Sequence, residues 1–381
     1  MGLGHVIARL ATRAAKVLIV EVPGQWRMRV ELEQQLVDRG WRQAWSPADA
    51  DILAICGNLD AELANIVDNL WAEMPGPRSQ LMLTSPGEIP TALDQTAQCL
   101  MEVQHQKHDA QQRAGQPVLP PSNDAEHDDA EHEHHHSHVE HDHDNMDHGA
   151  MGHGEHHDHS GMDMTVQGLP LAQGGDDRDG LEMDELHVPL GPVLPCWPAG
   201  FVLECTLQGD VVVDARSSML GDDPQGPVLE TQPAVRCDGI MALLTLTGAH
   251  DLAARARTAR DSILASDLDT ARHELEKLCR RVRKSRMLRW SLDDVLEISQ
   301  SDQTSYRLPE STRGNAYDRL RSALEAAARD LTDDARSDQH LTVPLQTVPK
   351  LLIGSQLATM RLAVASLNLG ALPITAEEGY V

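Results

Sequence analysis

The densest chemistry in the 381-residue sequence is a histidine tract: thirteen of its 20 histidines lie between His127 and His159. His132, His134, His135, His136 and His138 crowd one end, and His141, His143, His148, His153, His156, His157 and His159 follow. Met146, Met151, Met162 and Met164 are interleaved or trail closely. Imidazoles beside carboxylates make borderline sites for Zn²⁺, Ni²⁺ and Cu²⁺, and thioethers add softer ligands suited to Cu(I). No spacing repeats as a closed tetrahedral set. The expectation is therefore several interchangeable, weakly selective sites for labile Ni, Cu or Zn. The plainer alternative is a solvated linker that takes up metal adventitiously.

A second cluster is basic: Arg280, Arg281, Arg283, Lys284, Arg286 and Arg289, ending at Trp290. On a helix it makes a cationic surface with an aromatic end, suited to anionic lipid headgroups or an acidic partner subunit. The competing reading is a solvated face partly paired with Glu274 and Glu276. Nothing else on the chain supports nucleic-acid binding. Other candidates fail on spacing. The glycines of MGLGHVIAR precede the first strand-like run, so they cannot form a dinucleotide-binding turn, and no Walker motif occurs. The six cysteines include no CxxC pair, and Cys196 has no adjacent base to activate it.

These residues need elements to position them. Residues 16–22 and 51–56 are apolar runs, 80–84 is a third, and helical spacing separates them: Met28, Val30, Leu32, Leu36 and Val37, then Leu63, Ile66, Val67 and Leu70, then 91–103. Near-continuous apolar strands alternating with helices predict a small α/β domain with a parallel sheet covered on both faces, over 1–104. Residues 105–180 differ in kind. Between 114 and 177 the chain holds 15 of its 59 acidic residues and no Lys or Arg. Such a stretch buries too little apolar area to offset chain entropy, so an acidic, disordered His/Met-rich linker is expected. At about 75 residues it would span on the order of 45–50 Å. Residues 181–381 read as a β-hairpin (187–194, 201–207 and 211–215 around the turn at Gln208-Gly209-Asp210), then a helical bundle. Its expected helices are 239–247, 251–265, 268–287, 291–299, 313–331 and 348–369, which makes an α+β domain.

The formal charge is −27, concentrated in the linker, so a global nucleic-acid binder is excluded on charge. No apolar run reaches the 18 or so residues that cross a bilayer. MGLGHVIARLATRAAKVLIVEV reads straight into a strand without a cleavage pattern, which disfavours secretion. The expected location is cytoplasmic, with reduced cysteines.

Two segments resemble a known pair of proteins. ADADILAICGNLDAELANIVDNLWAEMPGPRSQLMLTS, residues 48–85, resembles the small, cluster-bearing subunit of respiratory complex I and of energy-converting NiFe hydrogenases. The resemblance covers about the first 100 residues and implies a flavodoxin-like fold. That family holds a 4Fe–4S cluster through cysteines in the loops after its strands. Here those loops read Pro23-Gly24-Gln25-Trp26 and Ser85-Pro86-Gly87-Glu88, while Cys56 ends a strand and Cys99 lies in a helix. Four thiolates are needed, so no iron–sulfur cluster is expected. GPVLPCWPAGFVLECTLQGDVVVDA, residues 191–215, resembles the opening β-motif of the large, catalytic-type subunit of the same complexes, and LLIGSQLATMRLAVASLNLG, residues 351–370, is similar to its final helix. The domain is roughly half the family's length. The histidine that faces quinone in complex I falls at Leu194, and both CxxC pairs that hold a NiFe centre are missing.

The resemblance implies a degenerate fusion: a truncated large-subunit-like domain joined to a small-subunit-like one, both without redox ligands. It suggests a non-catalytic structural or accessory subunit, peripheral on the cytoplasmic side of the inner or plasma membrane. In a complex I-like assembly, hydrogenase- or formate dehydrogenase-related, it would bridge membrane-embedded antiporter-like subunits and the electron-input module. The alternative is a cytoplasmic nickel-, copper- or zinc-binding metallochaperone or metal buffer acting through the His tract. A third reading, a quinone or flavin site between the domains, is weakened by one Phe, three Tyr and six Trp in the whole chain.

Overall fold

The computed structural model describes residues 14–114, 165–166, 169–170, 173–176, 182–221, 232–331, 343–370 and 374–375. Lys16–Glu21 (β1) and Ile52–Cys56 (β3) are buried along nearly their whole lengths, as strands in the middle of a covered sheet must be. They pair in parallel with Val17 opposite Ile52 and Glu21 opposite Cys56. Ser79–Leu83 (β4) extends the sheet beyond β3, and Arg42–Gln43 (β2) closes the other edge, in the order β2-β1-β3-β4.

Strand alternation divides the apolar side chains between two cores. Val17, Ile19, Ile52, Ala54 and Leu83 pack with Met28, Leu32 and Leu36 of helix α1 (Trp26–Arg39) and with Ile89, Leu93 and Leu100 of α3 (Ile89–Met101). Leu18, Val20, Leu53 and Ile55 pack with Leu63 and Val67 of α2 (Ala61–Glu73). The α/β reading of this region is therefore correct in kind. Val37, expected on the buried face of α1, is 46% exposed.

The expected linker is intruded on from both ends. Val103–Ala114 forms helix α4, although its sequence has no apolar stripe. Polar anchors hold it instead. Arg78, 5% exposed, grips Asp109 through Nε (3.2 Å) and Nη2 (3.0 Å) and stacks 4.1 Å from the Trp71 ring. Gln106 both accepts from the Arg78 amide and donates to its carbonyl, at 3.0 Å each. At the far end, Gln173–Asp176 (β5) pairs antiparallel with Glu182–Leu190 (β6).

Phe201–Gln208 (β7) and Val211–Met219 (β8) complete an antiparallel sheet in the order β8-β7-β6-β5. Phe201, Leu203, Cys205 and Leu207 alternate inward onto helices, which places the hairpin and bundle in one core. Those helices are α5 (Gln232–Leu246), α6 (His250–Leu264), α7 (Leu268–Lys284), α8 (Arg286–Leu292), α9 (Gln300–Tyr306), α10 (Ala316–Asp330), α11 (Thr347–Leu352) and α12 (Leu357–Leu367).

Three expected helices differ from the structure. The 268–287 helix stops at Ser285, whose hydroxyl caps α8 by accepting from the Leu288 amide at 3.2 Å. Residues 293–299 are not helical; Ile298 and Gly314 exchange backbone hydrogen bonds of 3.0 and 2.9 Å. The 348–369 helix is broken because its middle pairs with the β8 edge. Gly354, at φ 85°, donates to the Val212 carbonyl at 2.8 Å, and Val212 donates to the Ser355 carbonyl at 3.0 Å. Buried Arg319 on α10 then ties the bundle together, donating to Ser366 Oγ (2.8 Å) and to the carbonyls of Gly314 (2.5 Å) and Val295 (3.3 Å). No described helix is long and apolar enough to cross a membrane.

If polar anchors rather than apolar packing hold α4, Arg78→Ala should release it. Hydrogen exchange across residues 103–113 is expected to lose protection while the sheet keeps its own, with global stability falling by about 1–3 kcal/mol.

Candidate functional site

Open α/β sheets present their ligand crevice beyond the carboxyl ends of the strands, where strand order reverses. Here that point lies between β1 and β3, because the chain passes from β1 to β2 on one side and then to β3 on the other. The end of β1 carries Glu21, and helix α1 begins four residues beyond Val22 with Trp26 and Arg29. The crevice is covered by the C-terminal region of the same chain. Pro23 packs against Gly200 and Gly221; a Cβ at Gly200 would lie 2.6 Å from Pro23 Cγ and 2.8 Å from the Leu220 carbonyl, so only glycine admits the contact.

Beneath that cover is a cluster of buried charge. The Arg29 guanidinium donates to three carboxylates at once: Glu21, Glu33 and Asp238. Arg260, fully buried, donates from Nη1 to Glu33 (2.7 Å) and Asp238 (2.6 Å), and from Nε to Asp261 (2.9 Å). Trp26 Nε1 adds a 3.0 Å bond to Asp238. Asp238 sits on α5 and Arg260 on α6, so the cluster joins the parallel-sheet domain to the helical one.

Its electrostatics follow from unequal numbers. Around Arg29 and Arg260 stand Glu21, Glu33 and Asp238, so one carboxylate is in excess, before Asp261 is added. Burial pushes Asp238 up, but the Arg29 and Arg260 guanidiniums together outweigh it and hold the group down at about 2. Glu21 has one guanidinium partner, and there burial wins: its carboxyl is raised above the ordinary 4.5. Both arginines are raised, because neighbouring carboxylates more than offset their burial.

Beside the cluster is a cavity of about 160 Å³, with Glu21, Arg29, Glu33 and Asp238 on its polar side and Trp26, Leu194, Trp197, Met241 and Val364 among its walls. Ligand pockets for drug-sized molecules run about 300–1,000 Å³. This one holds no more than a small ring or a few waters. Cys196 also lines it, at φ 60°, and burial pushes its thiol up to about 12 despite Arg361 nearby, so it stays a protonated thiol.

The sixteen expected metal ligands (His132, His134, His135, His136, His138, His141, His143, His148, His153, His156, His157, His159, Met146, Met151, Met162 and Met164) lie outside the described residues. Among the described residues no group of three or more His, Cys, Asp or Glu is placed to hold a metal. The loops at 23–26 and 85–88 are engaged in structural contacts. Trp26 bonds Asp238, and Ser85 forms a reciprocal cap with Glu88, whose Oε1 accepts from the Ser85 amide at 2.7 Å. Burial drives the Cys56 thiol up to about 12.

His187 sits on β6 with Nδ1 3.0 Å from Thr206 Oγ1 on the adjacent strand. The basic run is exposed, as expected of a surface helix. The charge cluster was missed. Its local signals were a carboxylate ending a buried strand and the i, i+4 pair Arg29–Glu33; its other half lies more than 200 residues away. Comparison with family models and with curated proteins gives no match.

Folding should record the cluster. Asp238 is depressed in the folded state, so its stabilisation is present above its ordinary 3.8 and is lost as pH falls toward about 2. Glu21 runs the other way: the folded protein binds a proton more tightly, so stability declines as pH rises from 4.5 through the raised value. Asp238→Asn is expected to lose about 3–5 kcal/mol, because Arg29 and Arg260 each lose a charged hydrogen bond at a buried site. Glu21→Gln should equal or exceed the parent at neutral pH and flatten the decline above pH 4.5. Urea melts at several pH values check both.

Proposed function

We propose that this chain is a non-catalytic structural subunit of a membrane-bound, complex I-like oxidoreductase. The N-terminal α/β domain corresponds to a flavodoxin-like small subunit and the C-terminal α+β domain to a truncated large subunit, fused in one chain. The observation that carries the reading is the covered crevice. At the point where an α/β sheet of this kind takes a cofactor, this chain places its own second domain, locked by Arg29, Asp238 and Arg260. A surface used for docking two shapes together is what a scaffold needs. An active site would need open space and titratable groups free to react. The carboxylates Glu21, Glu33 and Asp238 are each engaged by guanidinium, and the Cys196 thiol is held protonated.

In this role the two domains act as one rigid bridge between membrane-embedded, antiporter-like subunits and the module that delivers electrons, at the cytoplasmic face. The reading of a flavin or quinone site between the domains has the cavity in its favour, but about 160 Å³ is small for an isoalloxazine or a prenylated ring. The metal-buffer reading rests on the His/Met tract alone. Removing residues 124–164 separates it from the scaffold reading: a scaffold keeps its partners and its assembly, whereas a buffer loses its activity.

The direct test is affinity purification of the tagged chain from its native membranes in mild detergent, with mass spectrometry and metal analysis of the eluate. Recovery of antiporter-like membrane subunits with an oxidoreductase module is the expected result. A solitary protein carrying stoichiometric nickel, copper or zinc, or one with iron and sulfide in cluster proportion, would overturn the proposal.

A further inference from the structure

Helix α8 turns Leu288 and Leu292 into the core and presents Arg286, Met287 and Trp290 on the opposite side. Trp290 is 78% exposed and Met287 73%, well beyond the other large apolar side chains of the described residues. Such exposure of a Trp and a Met three residues apart is unfavourable in water and marks a contact surface. Around them lie cations. Arg280 and Lys284 occupy the exposed face at the end of α7, and Arg286 and Arg289 flank Trp290 on α8. None of these four forms an ion pair among the described residues. Their neighbour Arg283 is partly neutralised by Glu325 at 3.0 Å. Acidic groups near it include Glu276, one turn before Arg280 on α7, Asp293 and Asp294, which follow α8, and Asp318 across a cleft that Arg283, Arg289 and Arg321 share.

The arrangement distinguishes between occupants. A protein interface keeps charge away from its apolar centre and places it at the rim, with Lys depleted. Here guanidinium and ammonium groups stand directly beside the two apolar side chains, which matches the headgroup layer of a bilayer, where Trp anchors and Lys/Arg meet phosphate. The chain's net charge of −27 would repel an anionic surface, so this cationic face also fixes the orientation of approach.

We propose that the end of α7 and helix α8 dock on an anionic lipid bilayer. Trp290 and Met287 enter the headgroup region, and Arg280, Lys284, Arg286 and Arg289 meet lipid phosphates. This deepens the bridging role without resting on it, since purified chain and vesicles suffice to test it and co-purification tests the other.

The experiment is flotation of the full chain with phosphatidylcholine vesicles, with and without phosphatidylglycerol. Binding is expected for the anionic vesicles alone, weakening as salt is added. Arg280→Glu and Arg286→Glu should each lower partition roughly fivefold or more, and Trp290→Ala roughly tenfold, with circular dichroism unchanged because all three side chains are exposed. No binding, equal binding to neutral vesicles, or indifference to the three substitutions would overturn the proposal. So would variants that leave vesicles unaffected but lose a co-purifying acidic protein; the face would then be a protein-docking surface.

Discussion

One guanidinium, that of Arg29, decides how the two halves of this chain are arranged. It reaches Glu21 at the end of a core strand, Glu33 one turn along its own helix, and Asp238 on a helix of the other domain. Arg260 closes the ring by gripping Glu33 and Asp238 from the far side. A buried cation with a single carboxylate partner would stay under-solvated, and a buried pair is often no better than an apolar contact. Sharing three carboxylates gives both cations several partners, although the buried Nη2 of Arg260 has none among the described residues, and the bonds across the joint need both domains in place. The cluster therefore specifies geometry more than it adds stability.

The excess negative charge has a chemical consequence. Burial and the neighbouring Asp238 and Glu33 raise the Glu21 carboxyl, whereas the two guanidiniums hold Asp238 down. The carboxyl end of β1 thus becomes part of an internal joint. The apolar strands that lead to it and the glycines that let Pro23 approach the second domain both serve that joint. In the proposed assembly the joint keeps the bridge stiff, while the exposed face of α8 meets its surroundings.

What the sequence could reveal depended on how local the cause was. The strands β1 and β3 announced themselves, because continuous apolar runs have few other solutions in a protein of this size. The helix over 268–287 was legible apart from its end, its basic side is exposed as expected, and the structure shows Ala271, Leu275, Leu278 and Val282 as its buried face. Helix α4 was not legible, since Arg78, Gln106 and Asp109 act through side-chain geometry that no periodicity records. The break at Gly354 came from a strand edge about 140 residues earlier in the chain. Arg29 and Asp238 carry no local sign of burial, because what buries them is each other's domain. The histidine tract was the loudest chemical signal, and it lies outside the described residues.

The most direct test of the joint is to cut the chain and ask whether its halves stay together. With a protease site introduced between residues 117 and 164, the cleaved wild-type protein is predicted to elute as a single species at neutral pH, and the same cut in Arg29→Ala is predicted to yield two. Separation of the wild-type halves, or a variant whose halves stay together unchanged, would contradict the account.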